Sequence, residues 1–424
     1  MPKKNEINQR YSFVDLFAGC GGLSLGLELA GFHPVFVNEL NSNALSSYLL
    51  NREKTHPKLI EPDFNCHDVK LLINKDRINK LKKDLKNVHG IDVSKGELGL
   101  VVGGPPCQGF SGIGHRRSYS VEKEQLPSNH LFQDMAWIIN ELRPKIFLFE
   151  NVKGLLTAKW NSSGVNGEIW NDVKTTFSGI RGYKVNFSLV HAKSYGVAQN
   201  RPRVLLVGVR DDVDTSAWLE FNSGIANGFL PTPHYKAPDL IDLIGDLIDP
   251  SYDNGGSTTH YPNSVQNDTQ RWFRTRLDGT VAKKGDLVSE HEYSKHSDKV
   301  RAKFLAMIQN NGIIPDEFKT KKFAQKLLPK HWGISGPSIT ATSMPDDYVH
   351  FMQPRILTVR EWARLQSFPD WYQFAGSRTT GGIRRAGNPR EGNFDRELPK
   401  YTQIGNAVPV MLAEAVGLHF KKIL

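Results

Sequence analysis

Apolar residues in the first half of the chain gather into short runs cut by glycine, proline and amide residues, and the runs alternate between two periods. Residues 12–17 (SFVDLF) form a compact run of strand character. Leu23, Gly26, Leu27 and Ala30 follow at i, i+3, i+4 and i+7, the spacing of a helix, and Gly31 closes it. Strand character returns at 34–38, around 64–66, and at 98–102, 146–149, 183–190 and 204–209, with helical patterns at 75–86 and 131–142. Strands alternating with helices predict one doubly wound α/β domain over residues 1–210. Past Arg210 strands are no longer obvious, and Asn, Asp, Ser and Gly become frequent. Helical spacing reappears at 358–367 (TVREWARLQS), where Thr358 and Glu361 stand as a capping box, and in the apolar stretch 410–418. Residues 376–400, rich in Gly and Arg, read as loop. The expected organisation is a domain of residues 1–210 completed by 396–424, and a smaller irregular domain of residues 211–395.

Composition narrows the class. The 424 residues suffice for two cores, and 39% hydrophobic with 23% charged residues describe a globular protein. No apolar run approaches the roughly 20 residues a membrane-spanning helix needs. The amino terminus, MPKKNEINQR, has no apolar stretch behind it, so an intracellular protein without a membrane anchor is expected. Three cysteines, Cys20, Cys66 and Cys107, lack CxxC spacing, and neither a disulfide framework nor a metal site is expected. The formal charge of +10 favours a polyanionic partner. The densest basic run, 75–86 (KDRINKLKKDLK), carries Asp76 and Asp84 and reads as a solvated helix face.

Candidate chemistry collects where strands end. The first strand runs into Ala18-Gly19-Cys20-Gly21-Gly22 and then a helix, an arrangement that lets a ligand approach backbone amides. The next strand ends at Glu39, twenty residues beyond Gly19, where a carboxylate can accept hydrogen bonds from ribose hydroxyls. The glycine spacing is GxGG rather than GxGxxG, which points to a nucleoside more than a pyrophosphate. Asp68 stands past a third, weaker strand end. The run 98–102 breaks at Gly103-Gly104 and delivers Pro105, Pro106 and Cys107. Each proline fixes φ, so the cysteine follows a stiff rail. On this stretch alone Cys107 is either a buried small hydrophobe or a nucleophile. Glu150 and Asn151 close the strand 146–149, which makes an acid and nucleophile pair at neighbouring strand ends plausible. Arg201 and Arg203 precede the strand 204–209, two apart and on one side, with forks suited to a phosphate or a base carbonyl.

Taken together, FVDLFAGCGGLSLGLELAGF, VFVNEL, GGPPCQGFSG, FLFENVKGLL, QNRPRVLLVGVR, RILTVREWARLQSFPD and QIGNAVPV resemble, in order, the blocks of the DNA (cytosine-5) methyltransferases, similar to the modification methylases of restriction-modification systems. The resemblance implies a doubly wound, Rossmann-like S-adenosylmethionine-dependent catalytic domain, with residues 211–395 as a target-recognition domain that includes TVREWARLQSFPD. It implies Cys107 as nucleophile, Glu150 holding the cytosine ring nitrogen with Asn151 shaping the loop, and Arg201 and Arg203 contacting the base and its phosphate. Phe17, Gly19, Gly21, Gly22, Glu39, Leu40, Asp68, Leu131, Asn406 and Val408 would surround S-adenosylmethionine. The expected partners are double-stranded DNA and a cognate restriction endonuclease acting on the same site, with the enzyme a monomer.

The Pro-Pro-Cys order also discriminates, because methylation of an exocyclic amine needs no thiol. The cytosine must leave the stack for its carbon 6 to be reached, and the loop 111–119 with Arg116 and Arg117 is the candidate for closing over it. Two other readings stand beside this one. A structured RNA such as transfer RNA could be the substrate, although the large region 211–354 is generous for one fixed RNA. A non-enzymatic DNA-binding regulator would not need the thiol. His291, Lys295 and His296 stay unassigned, and no code connects the irregular region to a target sequence.

Overall fold

The computed structural model describes residues 11–106, 127–219, 224–319, 325–332, 336–339, 346–379 and 397–424. The chain divides into two compact units: Met1–His191 with Pro202–His234 and Leu412–Leu424, and Ala192–Arg201 with Tyr235–Met411.

The first unit is built on seven strands: β1 (Ser12–Leu16), β2 (His33–Asn38), β3 (Asn65–Cys66), β4 (Leu100–Gly103), β5 (Ile146–Val152), β6 (Tyr183–His191) and β7 (Pro202–Arg210). Their order is β3-β2-β1-β4-β5-β7-β6. Strands β1 to β5 pair in parallel. The chain moves outward from β1 through β2 to β3 and then returns to β4 on the other side. In such sheets the crevice at this reversal, beyond the strands' carboxyl ends, is where ligands bind.

The strand–helix repeat expected through residue 210 holds as far as β6 and then changes hand. β7 lies between β5 and β6 and runs antiparallel to both. The connection Ala192–Arg201 is shorter than the dozen or so residues a parallel crossover requires, so the chain can only turn back.

Alternation along the strands sorts the residues by face. Val14 and Leu16, Phe147 and Phe149, and Val204 and Leu206 enter one core with helices α3 (Lys75–His89), α4 (Leu131–Leu142) and α5 (Glu168–Ser178). Ile78, Leu81 and Leu85 form the buried stripe of α3, and Met135, Ile138, Ile139 and Leu142 that of α4. Each such fully buried side chain contributes roughly 1.5–3 kcal/mol. The polar face of α3 is neutralised within its own unit: Lys75 and Lys82 meet Glu141, Lys80 meets Asp63 and Asp84, and Lys86 meets Asp92. The basic run is a paired surface, not a bare cationic patch.

Elsewhere in this unit, α1 (Gly22–Leu29) and the carboxyl-terminal helix Val410–Phe420 approach closely; a Cβ at Gly417 would sit 2.7 Å from that of Ala30. Trp218 stacks on His419 and donates its indole N–H to that residue's carbonyl at 3.0 Å.

The second unit has little sheet. Among its described residues one two-stranded ladder appears, Lys326–Leu327 with Tyr348–Val349. Its centre is the helix Val359–Leu365, every residue of which is buried. The capping box read from Thr358 and Glu361 is present. Glu361 also takes both arms of Arg355 at 2.7 Å, and Arg364 bridges Asp246 and Asp370 at 2.6 Å to each. Arg274 joins the same Asp246. Buried charges of this kind are tolerated only when paired, and removing one partner costs about 3–5 kcal/mol. Ion pairs hold this unit where alternating strands hold the other. His291 belongs to that interior, bonded to Thr358 Oγ1 and the Leu247 carbonyl at 2.9 Å each, with burial pushing its ring down to about 4. It is a structural histidine.

Among the described residues no helix is long and apolar enough to cross a membrane, and no group of three or more His, Cys, Asp or Glu could hold a metal ion.

Candidate active site

The carboxyl ends of β1, β2 and β3 form one continuous ledge. Phe17, Gly19 and Gly21 all adopt positive φ (58°, 57° and 90°), so the chain leaving β1 coils tightly before α1 begins. Gly21 is the residue preceding the helix, and Gly22 is its first, buried turn. A Cβ built on Gly19 meets nothing within 4 Å, so there is open space above the turn.

Glu39, just past β2, reaches back across the twenty-residue gap to this turn. Its Oε2 accepts the Gly19 N–H at 2.8 Å and its Oε1 the Asn41 N–H at 2.8 Å. Burial raises its pKa, opposed by the bonds from Asn41 and Gly19. A carboxylate offers about four lone-pair directions, so each oxygen keeps capacity for a hydroxyl. Leu40 beside it is 72% exposed, a bare apolar side chain at the ledge. Asp68 is exposed and caps the following turn, accepting from Lys70 N–H at 2.9 Å. Leu131 is half-buried at the start of α4 and packs against the core. Open space over a glycine turn, a carboxylate two bonds from saturation and an apolar neighbour fit a nucleoside ligand.

Asn38 was not apparent from sequence. It is 1% exposed, and its Oδ1 accepts from Phe17 N–H at 3.3 Å while Nδ2 donates to the Cys66 and His67 carbonyls at 3.1 and 2.8 Å. One amide thereby ties three strand ends. The available signal was an amide closing an apolar strand, VFVN.

Beneath the ledge, Asp15 of β1 is wholly buried and accepts the Ser24 hydroxyl at 2.5 Å, and Ser24 in turn meets the Tyr48 hydroxyl at 2.8 Å. Burial pushes the Asp15 carboxyl up to about 7.

The second cluster lies at the ends of β4, β5 and β7. Glu150 and Arg203 form an ion pair, Oε1 to Nε 2.7 Å, with both side chains about nine-tenths buried. Burial lowers the Arg203 pKa and Glu150 opposes that shift. The other carboxylate oxygen lies over Gly104, where a Cβ would stand 2.8 Å from it. At Gly103 a Cβ would stand 2.8 Å from the Leu16 carbonyl. The glycine doublet therefore has two separate steric reasons, and only its role as a strand breaker was legible beforehand. Asn151 donates from Nδ2 to the Pro105 carbonyl at 3.0 Å, so β5 holds the Pro-Pro rail directly. Cys107 and the loop 111–119 lie outside the described residues, as does most of 376–400.

Burial pushes the Cys20 thiol up to about 12 and that of Cys66 to about 11. Both are inert at neutral pH.

Arg201 keeps different company from Arg203. It is 5% exposed, and its guanidinium donates to the carbonyls of Gly405 at 2.6 Å, Ala407 at 3.1 Å and Ile339 at 3.4 Å. The helix Lys400–Asn406 takes in the first half of the QIGNAVPV block, which sequence placed before a helix, not in one. Asn406 is exposed at its end, and Val408 is half-buried just beyond.

Known proteins resemble this chain along most of its length. Type II methyltransferase M.DdeI of Desulfomicrobium norvegicum is 29% identical over 96% of this chain and 87% of its own length. Type II methyltransferase M.PspPI of Psychrobacter sp. is 30% identical over 97% of this chain and 79% of its own. Among solved structures, a prophage-encoded E. coli protein described as a DNA modification methyltransferase superposes with a TM-score of 0.65 at 24% identity, covering 97% of this chain and 99% of that one. The S. pombe Dnmt2 methyltransferase gives 0.52 at 14% identity, covering 97% and 99%. Both show the fold. The model of the C-5 cytosine-specific DNA methylase family matches residues 11–422, so the chain belongs to that family and is a DNA (cytosine-5) methyltransferase.

Proposed function

We propose that this enzyme methylates carbon 5 of a cytosine flipped out of a specific double-stranded DNA sequence, through a covalent bond from Cys107, and that it protects that sequence from a cognate restriction endonuclease. The observation that supports the reading best is the buried Glu150–Arg203 pair at the end of β5, joined through Asn151 to the Pro-Pro rail that leads to Cys107. S-adenosylmethionine would supply an electrophilic methyl group. Phe17, Gly19, Gly21, Gly22, Glu39, Leu40, Asp68 and Leu131 are the residues proposed to hold it, together with Asn406 and Val408 from the family's last block.

Carbon 5 of cytosine is a weak nucleophile until the ring gains electrons. The Cys107 thiolate adds to carbon 6, and the displaced electron pairs shift through carbons 5 and 4 to the ring nitrogen. Glu150 delivers a proton there, leaving an enamine whose carbon 5 would take the methyl group while the donor's sulfonium sulfur keeps the electron pair of the broken bond. Arg203 fixes one oxygen of Glu150, and the other lies over Gly104. Loss of the proton from carbon 5 then restores the bond between carbons 5 and 6 and expels the thiolate, and the proton on the ring nitrogen returns to Glu150. The irregular region 211–395 is proposed to read the target sequence, its bases being recognised from the groove.

The test is a comparison of methyl incorporation into duplex DNA and into transfer RNA, with bisulfite sequencing of the DNA product. Methylation at one recurring duplex sequence is expected; labelling of transfer RNA alone would overturn the DNA reading.

Glu39→Ala is expected to weaken S-adenosylmethionine binding by about 1.5–3 kcal/mol, since it removes charge-assisted hydrogen bonds. DNA affinity should be largely unchanged. Titration calorimetry checks both, and unaltered cofactor affinity would remove Glu39 from the site.

A further inference from the structure

The geometry points to Arg201 and Gln366 as positioning residues that cap the helix Lys400–Asn406 and thereby set the exposed Asn406, not as groups that touch DNA. The inference rests on the cofactor role proposed for Asn406.

The last carbonyls of any helix lack intrahelical partners and sit at its negative end, where a cation or an amide donor is favoured. Here those carbonyls belong to Gly405 and Ala407, and beside them that of Ile404, which also takes the Ala407 N–H at 3.2 Å. Arg201 Nη2 takes Gly405 and Ala407, and Gln366 Nε2 takes Ile404 at 2.8 Å and Ala407 at 3.0 Å. Both donors are buried, Gln366 completely. Gln366 is itself fixed: Gln199 Nε2 donates to its Oε1 at 2.7 Å, and the Val410 N–H donates to its carbonyl at 3.1 Å. Three stretches far apart in the chain, at 199–201, 366 and 404–410, therefore close on one turn. Carbonyls on both sides of Asn406 are held by side chains that cannot shift without leaving a buried donor unsatisfied. Asn406 alone in that turn faces solvent.

The Arg201 guanidinium is 5% exposed and turned onto backbone carbonyls, a setting that keeps it from the surface where a phosphate would lie. Arg203, two residues on, spends its charge on Glu150 instead.

Calorimetric titration of the full-length enzyme with S-adenosylmethionine, paired with DNA binding across a salt series, tests the assignment. Arg201→Gln and Gln366→Leu are each expected to weaken cofactor binding about tenfold or more, as loss of a buried hydrogen-bond donor does. The slope of log affinity for DNA against log salt should not move. Arg201→Lys, which keeps the charge but loses the fork, should fall between, and it guards against a variant that fails to fold. The double variant Arg201→Gln/Asn406→Ala should bind cofactor no more weakly than Asn406→Ala, because Arg201 acts through Asn406. Additive losses would mark a general weakening and overturn the proposal. So would an unchanged cofactor affinity in Arg201→Gln with the salt slope reduced by about 0.9, the signature of one lost phosphate contact. If Asn406→Ala itself binds cofactor normally, the cofactor role of Asn406 fails and this proposal with it. A loss at Asn406→Ala with none at Arg201→Gln refutes the positioning role alone.

Discussion

Duplex DNA carrying 5-fluorocytosine at the target, incubated with the enzyme and S-adenosylmethionine, is expected to end as protein joined to DNA by a bond that survives denaturation. The thiolate can leave only after carbon 5 gives up a proton, and fluorine at that carbon cannot depart as a cation. Peptide mapping should place the bond on Cys107. The other two thiols are buried and pushed up to about 12 and about 11, so neither competes as a nucleophile. Cys107→Ser should abolish the adduct and methyl transfer together, because a serine hydroxyl is far less ionised at neutral pH. A wild-type enzyme that methylates ordinary duplex yet leaves the fluorinated site free would refute covalent catalysis.

Glu150→Gln should reduce single-turnover methyl transfer by about 10²–10⁴-fold, the range for loss of a positioned proton donor. The glutamine keeps an acceptor oxygen for Arg203, so the buried guanidinium retains a partner and the fold should survive. Cofactor affinity should stay within about threefold of wild type, since Glu39 and the glycine turn lie on other strands. Rapid-quench measurement on ordinary duplex separates chemistry from product release. Unchanged single-turnover rates would remove Glu150 from proton transfer and leave it a structural partner of Arg203.

Much of the first unit was legible because its signals are local. Periods of two and 3.6 residues located β1, α1, β2, α3, β4, α4, β5, β6 and β7 to within a few residues. The capping box at Thr358 needed only the residue three positions on. The second unit was less legible for the same reason: its order comes from Arg364 meeting Asp246, 118 positions away, and a charge in sequence looks the same buried or solvated. Spacing alone does not mark Asp246, Arg274, Arg355 or Arg364 as buried.

Sequence by itself determined the elements of the proposed chemistry: a lone cysteine behind two prolines, an acid closing the next strand, a glycine turn with a carboxylate twenty residues on, and their order along one α/β frame. These depend on residue type and short spacing, which the chain carries whatever its surroundings. Tertiary structure decided the direction of β7, the use of Asn38 as a tie between three strand ends, and the steric need for Gly104 beneath Glu150. It also parted two arginines that spacing had set side by side. Arg203 pairs with Glu150, while Arg201 binds Gly405 across 204 positions of chain. Spacing says which side of a strand a side chain leaves from. Which carbonyl or carboxylate waits there is set by segments that meet only when the chain has folded.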